Sequence, residues 1–452
     1  MKIRHTIIIL ISAWVAALSL TGCGVYKKYE REDLFFVDSL YRRLPDISDT
    51  TSIASLSWSE FFTDPILQEW IRLGIEHNTD YSIARLRVEQ AQATLQAAKQ
   101  AIFPSASLSV GAGLYYPGNT NFRYSITPTF SWEADIFGKL ANAKRGAAAA
   151  LEQSVAYKQA VQAQLVATIA ESYYKMLMLD KQLAINQRTL NTWEENIRTL
   201  EALKRAGKTN EAAVLQAKAN RLDVQNSVYN LHQQIFEAEN AFAALLGMVP
   251  SKIERGSIDV QTTMQHPLSG GVPAEILSNR PDVRQAEMAL AQAFYATNQA
   301  RASFYPSVRL TGEFGFDPSG FITSLAASLL QPLYAQGTNK ARLRRAEAEQ
   351  KIAIYEFRQS LLDAGVEVNN ALIAVKTAGS RVKIDQKQIV HLQAAVWNTQ
   401  LLMKHGNTNY LEVLTAQQKL LQAELAEVSD RFEEIRNVIN LYHALGGGYD
   451  AE

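Results

Sequence analysis

The same turn occurs twice in this chain, and Gly406 lies 199 positions after Gly207. The first copy reads Arg205-Ala206-Gly207-Lys208-Thr209-Asn210 and leads into Val214-Leu215. The second reads Lys404-His405-Gly406-Asn407-Thr408-Asn409 and leads into Val413-Leu414. Each copy interrupts a long alanine-rich helical pattern at a glycine and restarts it at once. Glycine is the usual residue past a helix end, and Thr and Asn cap the helix that follows. No proline falls between Ile136 and Val249 or after Leu333. Each turn is therefore the tip of a long helical hairpin, and a chain that builds the same hairpin twice is building an extended object.

The helical periodicity agrees. A helix from about Lys139 to Arg205 spans about 100 Å at 1.5 Å per residue. Near its end Leu190, Trp193, Ile197 and Leu200 step by three and four. The return helix carries Val224, Val228, Leu231, Ile235, Ala238, Phe242 and Leu245 in the same rhythm. In the second copy Ile389, Leu392 and Val396 lead into the tip, and Leu421, Leu425, Val428, Phe432, Ile435, Ile439 and Tyr442 lead away from it. A seam near 3.5 residues means packing against long neighbouring helices.

Ahead of each long helix the period changes to two. A helical pattern from Pro65 to Ile102, weakened at Asn78-Thr79-Asp80, stops at Pro104. Leu108, Val110, Ala112 and Leu114 then alternate with serine and glycine. After the turn Pro117-Gly118-Asn119-Thr120-Asn121, Tyr124, Ile126, Pro128, Phe130, Trp132 and Ala134 alternate with Ser125, Thr127, Thr129, Ser131, Glu133 and Asp135. The same programme follows Pro306, 202 positions after Pro104: Val308, Leu310, Phe314 and Phe316, then the turn Asp317-Pro318-Ser319-Gly320, then Phe321 to Leu330. Four strands do not close a barrel, which needs about eight. An open sheet in lipid leaves its edges unpaired. If these hairpins sit in a membrane, several copies must associate, and periodicity does not choose between two copies and three.

The N-terminus reads as a targeting segment, with Lys2 and Arg4 ahead of the apolar run Ile7 to Leu20 and then Leu20-Thr21-Gly22-Cys23. Small residues before a cysteine are the pattern of a lipoprotein signal peptide, so residues 1–22 are expected to be removed and Cys23 lipidated, anchoring the chain. Cys23 is the only cysteine, so no intrachain disulfide is available. No other stretch has the ~20 apolar residues of a membrane helix. The 45 basic and 45 acidic residues cancel, which argues against a nucleic-acid partner. The histidines form no ligand spacing, and there is no phosphate-binding glycine loop. The expectation is no enzyme, no metal, and no cofactor beyond the lipid on Cys23.

Four motifs in series carry a resemblance: Trp58-Ser59-Glu60-Phe61-Phe62-Thr63-Asp64-Pro65-Ile66-Leu67, Arg280-Pro281-Asp282-Val283-Arg284 with Ala286-Glu287, Phe304-Tyr305-Pro306-Ser307, and the two glycine tips. With them the chain resembles the TolC-type outer membrane factors, in the OprM/NodT-like lipoprotein branch. The resemblance implies a mainly α fold with a small β part, assembled as a homotrimer with a twelve-stranded transmembrane β-barrel over a periplasmic α-helical tunnel. It divides the chain into a signal peptide (1–22), a tether and equatorial segment (23–64), a first efflux repeat (65–249), an equatorial linker (250–273), a second repeat (274–446) and a tail (447–452). It implies a passive outer membrane channel of a tripartite efflux system, exporting small molecules such as drugs. Its partners would be a periplasmic adaptor, an inner-membrane transporter and outer membrane lipid. An exit duct for secreted polypeptides (type I secretion) and a non-conducting structural lipoprotein stay open as alternatives.

By the same resemblance the tips, Gly207, Lys208 and Thr209 with Gly406, Asn407 and Thr408, meet the adaptor. Glu412, Thr408, Leu411, Leu414 and Met403 form a pore constriction. Three Glu412 carboxylates in a ring favour cations, although a glutamate on a solvated helix face gives the same local pattern. The chain departs from the enterobacterial pattern in having Ala213, Met403 and Thr408 where that pattern has Asp, Tyr and Arg. Closure would then rest on packing around Leu411 and Leu414 and on Glu412.

Overall fold

The computed structural model describes residues 26, 28–31, 56–115, 121–258, 280–317, 320–332, 336–405 and 410–449. Cys23 and the signal peptide, most of the 250–273 linker, and Gly406, Asn407 and Thr408 of the second tip lie outside them.

The elements occur in the order α1 (Trp58–Phe61), α2 (Pro65–His77), α3 (Thr79–Gln100), β1 (Ser105–Tyr115), β2 (Asn121–Ala134), α4 (Lys139–Arg205) and α5 (Glu211–Leu245). The order then repeats as α6 (Pro281–Ala302), β3 (Ser307–Asp317), β4 (Gly320–Leu330), α7 (Thr338–Lys404) and α8 (Tyr410–Ala444). The two long helices have 67 residues each and the two return helices 35 each. Local chemistry sets the boundaries. Asp64 caps α2, its Oδ1 accepting from Ile66 N (2.8 Å), and Pro65 fills the first helical position, where no N–H is needed. The helical pattern breaks at Asn78, which is extended. Its Oδ1 accepts from Tyr81 N at 2.9 Å and its Nδ2 donates to Leu245 O at 2.9 Å.

The chain divides into two compact units. The first contains Arg85–Tyr157 and Asp282–Ser360 with the tether, and so holds the sheet. The strands form one antiparallel sheet in the order β1-β2-β3-β4. Its register puts Ala106, Phe130, Gly312 and Leu325 in one row and Val110, Ile126, Phe316 and Phe321 in another. One face is therefore almost wholly apolar, and Leu108, Val110, Phe130, Phe316, Phe321 and Leu325 are all exposed on it. Ser107, Thr129, Thr311, Glu313 and Ser324 share the other face. The β2–β3 pairing runs from Ile126↔Phe316 to Ala134↔Val308 and skips Thr127 and Pro128, the latter having no N–H to donate. Tether residue Arg31 grips Glu287 of α6 through its guanidinium (Nε–Oε1 2.8 Å).

The second unit contains Phe36–Ala84, Lys158–Pro281 and Leu361–Glu452. Its core gathers the N-terminal segment, the start of the inter-repeat segment and the C-terminus around the long helices. Phe61 stacks on Tyr442 at 3.9 Å, and the Tyr442 hydroxyl donates to Leu56 O at 2.7 Å. The Tyr173 hydroxyl donates to Asp64 Oδ2 (2.7 Å) and accepts from Gly256 N (3.2 Å). Burial raises the Tyr173 pKa, so its proton stays in place. Two arginines at either end of the inter-repeat segment each clasp one hairpin. Arg255 reaches Asp180 of α4 and Glu239 of α5, both at 2.5 Å. Burial opposes its charge, but the two carboxylates outweigh that and raise its pKa. Arg280 donates to Ala444 O (2.5 Å) at the end of α8 and to Glu367 of α7 (2.6 Å). His443, 3.9 Å from Glu367, and Arg280 hold that carboxyl at about 2. At 3.9 Å the histidine acts by charge when protonated rather than by a hydrogen bond.

Candidate functional site

The first tip is fully described. Lys208 N donates to Leu203 O and Gly207 N to Lys204 O, both at 2.9 Å, so the last carbonyls of α4 are satisfied by a glycine-stopped turn. Gly207 sits at φ +71, and a Cβ there would meet nothing within 4 Å. Conformation alone, not crowding, selects glycine. Asn210 then caps α5, its Oδ1 accepting from Ala213 N at 3.1 Å. Lys204 pairs with Glu211 across the turn, while Lys208 is exposed and Thr209 half-buried.

Behind the tips, both hairpins contribute to one apolar cluster. Trp193, Leu200, Val214, Ala217 and Val224 come from the first hairpin, Tyr410 and Leu414 from the second. Leu190, Ile197, Ala213, Met403 and Leu421 pack around them. Polar links extend the contact along α4 and α8: Arg188–Glu424 (2.6 Å), Asn196–Gln417 (2.7 Å) and Gln182–Ser429 (3.0 Å). The Tyr410 side chain is buried, and its hydroxyl has no hydrogen-bond partner among the described residues. Burial raises its pKa, so it stays neutral.

The residues named for a constriction fall in different places. Leu411 and Glu412 are exposed in the first turn of α8. Leu414 is buried in the cluster and Met403 is half-buried against it, because the period of α8 turns position 414 toward the first hairpin. Those two side chains pack against the first hairpin. Ala213, which matches Glu412 in the first repeat, is half-buried against the same cluster.

Exposed apolar stripes on two helices, and the burial of Tyr410, are not legible in the sequence. On α5, Leu215, Leu222, Tyr229 and Phe236 are all exposed. Their spacing of seven is plain in the sequence, but it runs beside the buried seam and only burial separates the two. On α7, Leu362, Ile373, Ile384, Val390 and Trp397 are likewise exposed. Among the described residues no helix is long and apolar enough to cross a membrane, and no cluster of His, Cys, Asp and Glu could hold a metal.

The family model for outer membrane efflux proteins matches residues 70–248 and 272–447. The chain belongs to the outer membrane efflux protein family. It is 27% identical to the cation efflux system protein CusC of Escherichia coli, covering 96% of this chain and 98% of CusC. It is 28% identical to the toluene efflux pump outer membrane protein TtgF of Pseudomonas putida, covering 96% of each. Among solved structures it is similar to the open state of the Neisseria gonorrhoeae MtrE outer membrane channel, with a TM-score of 0.85 at 27% identity over 94% of this chain and 98% of that one. Crystal structures of CusC give 0.82 at 25% identity, over 94% of this chain and 100% of that one. The helical fold with a small sheet is thus that of outer membrane efflux channels, and the outer membrane is this protein's place.

Proposed function

We propose that this protein is the exit duct of a tripartite small-molecule efflux system, formed by three copies of the chain and closed at the hairpin tips. One observation carries the assembly: faces that are covered in one repeat are bare in the other. The α8 face at Leu414 and Val428 is buried, and at its tip end the first hairpin covers it, whereas the matching α5 face at Leu215 and Tyr229 is exposed. Ile185 and Tyr174 of α4 are buried, whereas the matching Ile384 and Ile373 of α7 are exposed. Setting the α7 edge of one copy on the α5 edge of the next would repeat the internal α4–α8 contact. Such a heterologous contact forms a ring when its rotation closes. The same ring would pair the free edges of β1 and β4, which lipid does not tolerate unpaired. Two copies would also reach eight strands; three follows the family resemblance.

Within that ring Glu412 and Leu411 narrow the duct, with Leu414 and Met403 bracing them from inside; Thr408, the further residue assigned to the constriction by resemblance, lies outside the described residues. The tips at Gly207, Lys208 and Thr209 and at Gly406, Asn407 and Thr408 receive a periplasmic adaptor, which links the duct to an energised inner-membrane transporter. A lipid on Cys23 adds an anchor. Tyr26 lies beside Gly138 at the β2–α4 junction, and three residues of chain reach at most about 10 Å. The test is native mass spectrometry of the full chain in nanodiscs with single-channel recording in planar bilayers. The expected result is a three-chain conducting particle whose cation preference falls in Glu412→Ala. A single-chain or silent particle would sink the duct, and unchanged selectivity would remove Glu412 from the constriction.

A further inference from the structure

The first unit contains a cavity of about 370 Å³, lined by none of the residues assigned to the tips. It opens between the start of α4, the end of α6 and the start of α7. Lys139, Arg342 and Arg345 line it together with Gln299, Ser303 and Glu349, and three alanines complete the lining. Those methyl-sized side chains leave the space open, and the volume lies in the range of about 300–1,000 Å³ that takes small ligands.

The charges in the cavity do not balance. Arg345 pairs with Glu349 at 2.7 Å, and Lys139 pairs with Glu133 of the sheet's polar face at 3.1 Å. Arg342 has no carboxylate partner among the described residues. Helix energetics does not account for the excess. Neither α4 nor α7 has an acidic residue in its first turn, yet Lys340, Arg342, Arg344 and Arg345 crowd the start of α7. Cations at that end oppose the helix dipole. A guanidinium fork matches two oxygens of a phosphate or carboxylate, and Gln299 adds a neutral amide donor at the same opening.

We infer that this cavity is an oxyanion-binding site in which Arg342 takes a phosphate or carboxylate group, with Arg345 and Lys139 supplying the surrounding positive field. Two sources offer that chemistry: a small organic anion in transit, and the phosphate of an anionic lipid headgroup. The inference goes beyond the duct reading and does not depend on it, since binding is measurable whether or not the protein conducts.

The test is calorimetric titration of inorganic phosphate, at constant ionic strength in chloride, into the full-length protein in phosphatidylcholine nanodiscs. Saturable binding is expected in the wild type. Arg342→Ala should weaken it at least tenfold, and Arg342→Lys, which keeps the charge without the fork, should fall between. Lys340→Ala, in the same turn but outside the cavity lining, should bind as the wild type does. Circular dichroism and melting identify any variant that fails to fold, and Arg342→Gln then replaces Arg342→Ala. A second arm uses nanodiscs containing phosphatidylglycerol. Loss of phosphate binding there, with the lipid retained in native mass spectra of the wild type but not of Arg342→Ala, supports the site with a headgroup as its occupant. Undiminished phosphate binding supports the site with a soluble anion. No saturable binding in phosphatidylcholine, equal binding by wild type and Arg342→Ala, or an equal loss in Lys340→Ala overturns the inference.

Discussion

The two hairpins are equal in length and begin from the same turn, yet matching residues have opposite environments. Leu215 and Leu414 both follow a valine just past a tip. Leu215 is 56% exposed and Leu414 2%. Fourteen residues further along, Tyr229 is 65% exposed and Val428 2%. The long helices invert the relation, with Ile185 buried in the first hairpin and Ile384 exposed in the second. Each hairpin thus keeps one apolar edge covered and one bare, and the bare edges are opposite. That complementarity is what the proposed ring of copies rests on.

The sharpest way to break this comparison is a charge at matching positions. Val428→Asp places a carboxylate in a buried seam without a partner and should unfold the second hairpin, seen as lost helicity. Tyr229→Asp should leave helicity intact and yield single chains in native mass spectrometry. If both variants unfold, or both assemble, the bare edge is not an interface. Next in size, Trp193→Ala empties the centre of the cluster joining the hairpins and should cost about 3–5 kcal/mol, read from chemical denaturation. A cost near that of an exposed residue would show that the hairpins do not depend on each other at the tips.

A smaller effect separates the clasps at the other end. Glu367 has its pKa lowered to about 2, so its contribution is present above its ordinary pKa near 4.5 and is lost as pH falls toward 2. Melting of Glu367→Gln should therefore depend less on pH than the wild type across that window, and parallel curves would discount the pair with Arg280. The smallest effects are at the turns. Gly207→Ala should destabilise by about 1 kcal/mol, because φ is positive there. Tyr410→Phe should stabilise by about 1 kcal/mol, because it removes a buried hydroxyl with no partner. Destabilisation by Tyr410→Phe would mean the hydroxyl has a partner in the assembled protein.

Much of the fold is legible in the residues. Pro104 and Pro306 mark where period 3.6 gives way to period 2, and Gly207 marks the first tip because few other residues tolerate its φ. Asn78 breaks the first helix because its amide binds backbone on both sides, at Tyr81 and Leu245. The tip was less legible. Glu412 and Leu414 are two residues apart on one helix, so a reading by neighbourhood groups them, while the helical period turns them to different sides. The burial of Tyr410 is not legible, because an aromatic residue beside a turn carries no signal of burial on its own.

By itself the sequence determined the repeat, the hairpins, the strand faces and the positions of the turns. These follow from periodicity and from the backbone limits of glycine and proline, which act over a few residues. Only the tertiary structure decided which of two equivalent seams is covered, that Leu414 looks inward while Leu215 looks out, and that Lys139, Arg342 and Arg345 share one cavity. Those outcomes depend on which distant segment arrives against a face. Two copies of one local pattern cannot encode that difference in themselves.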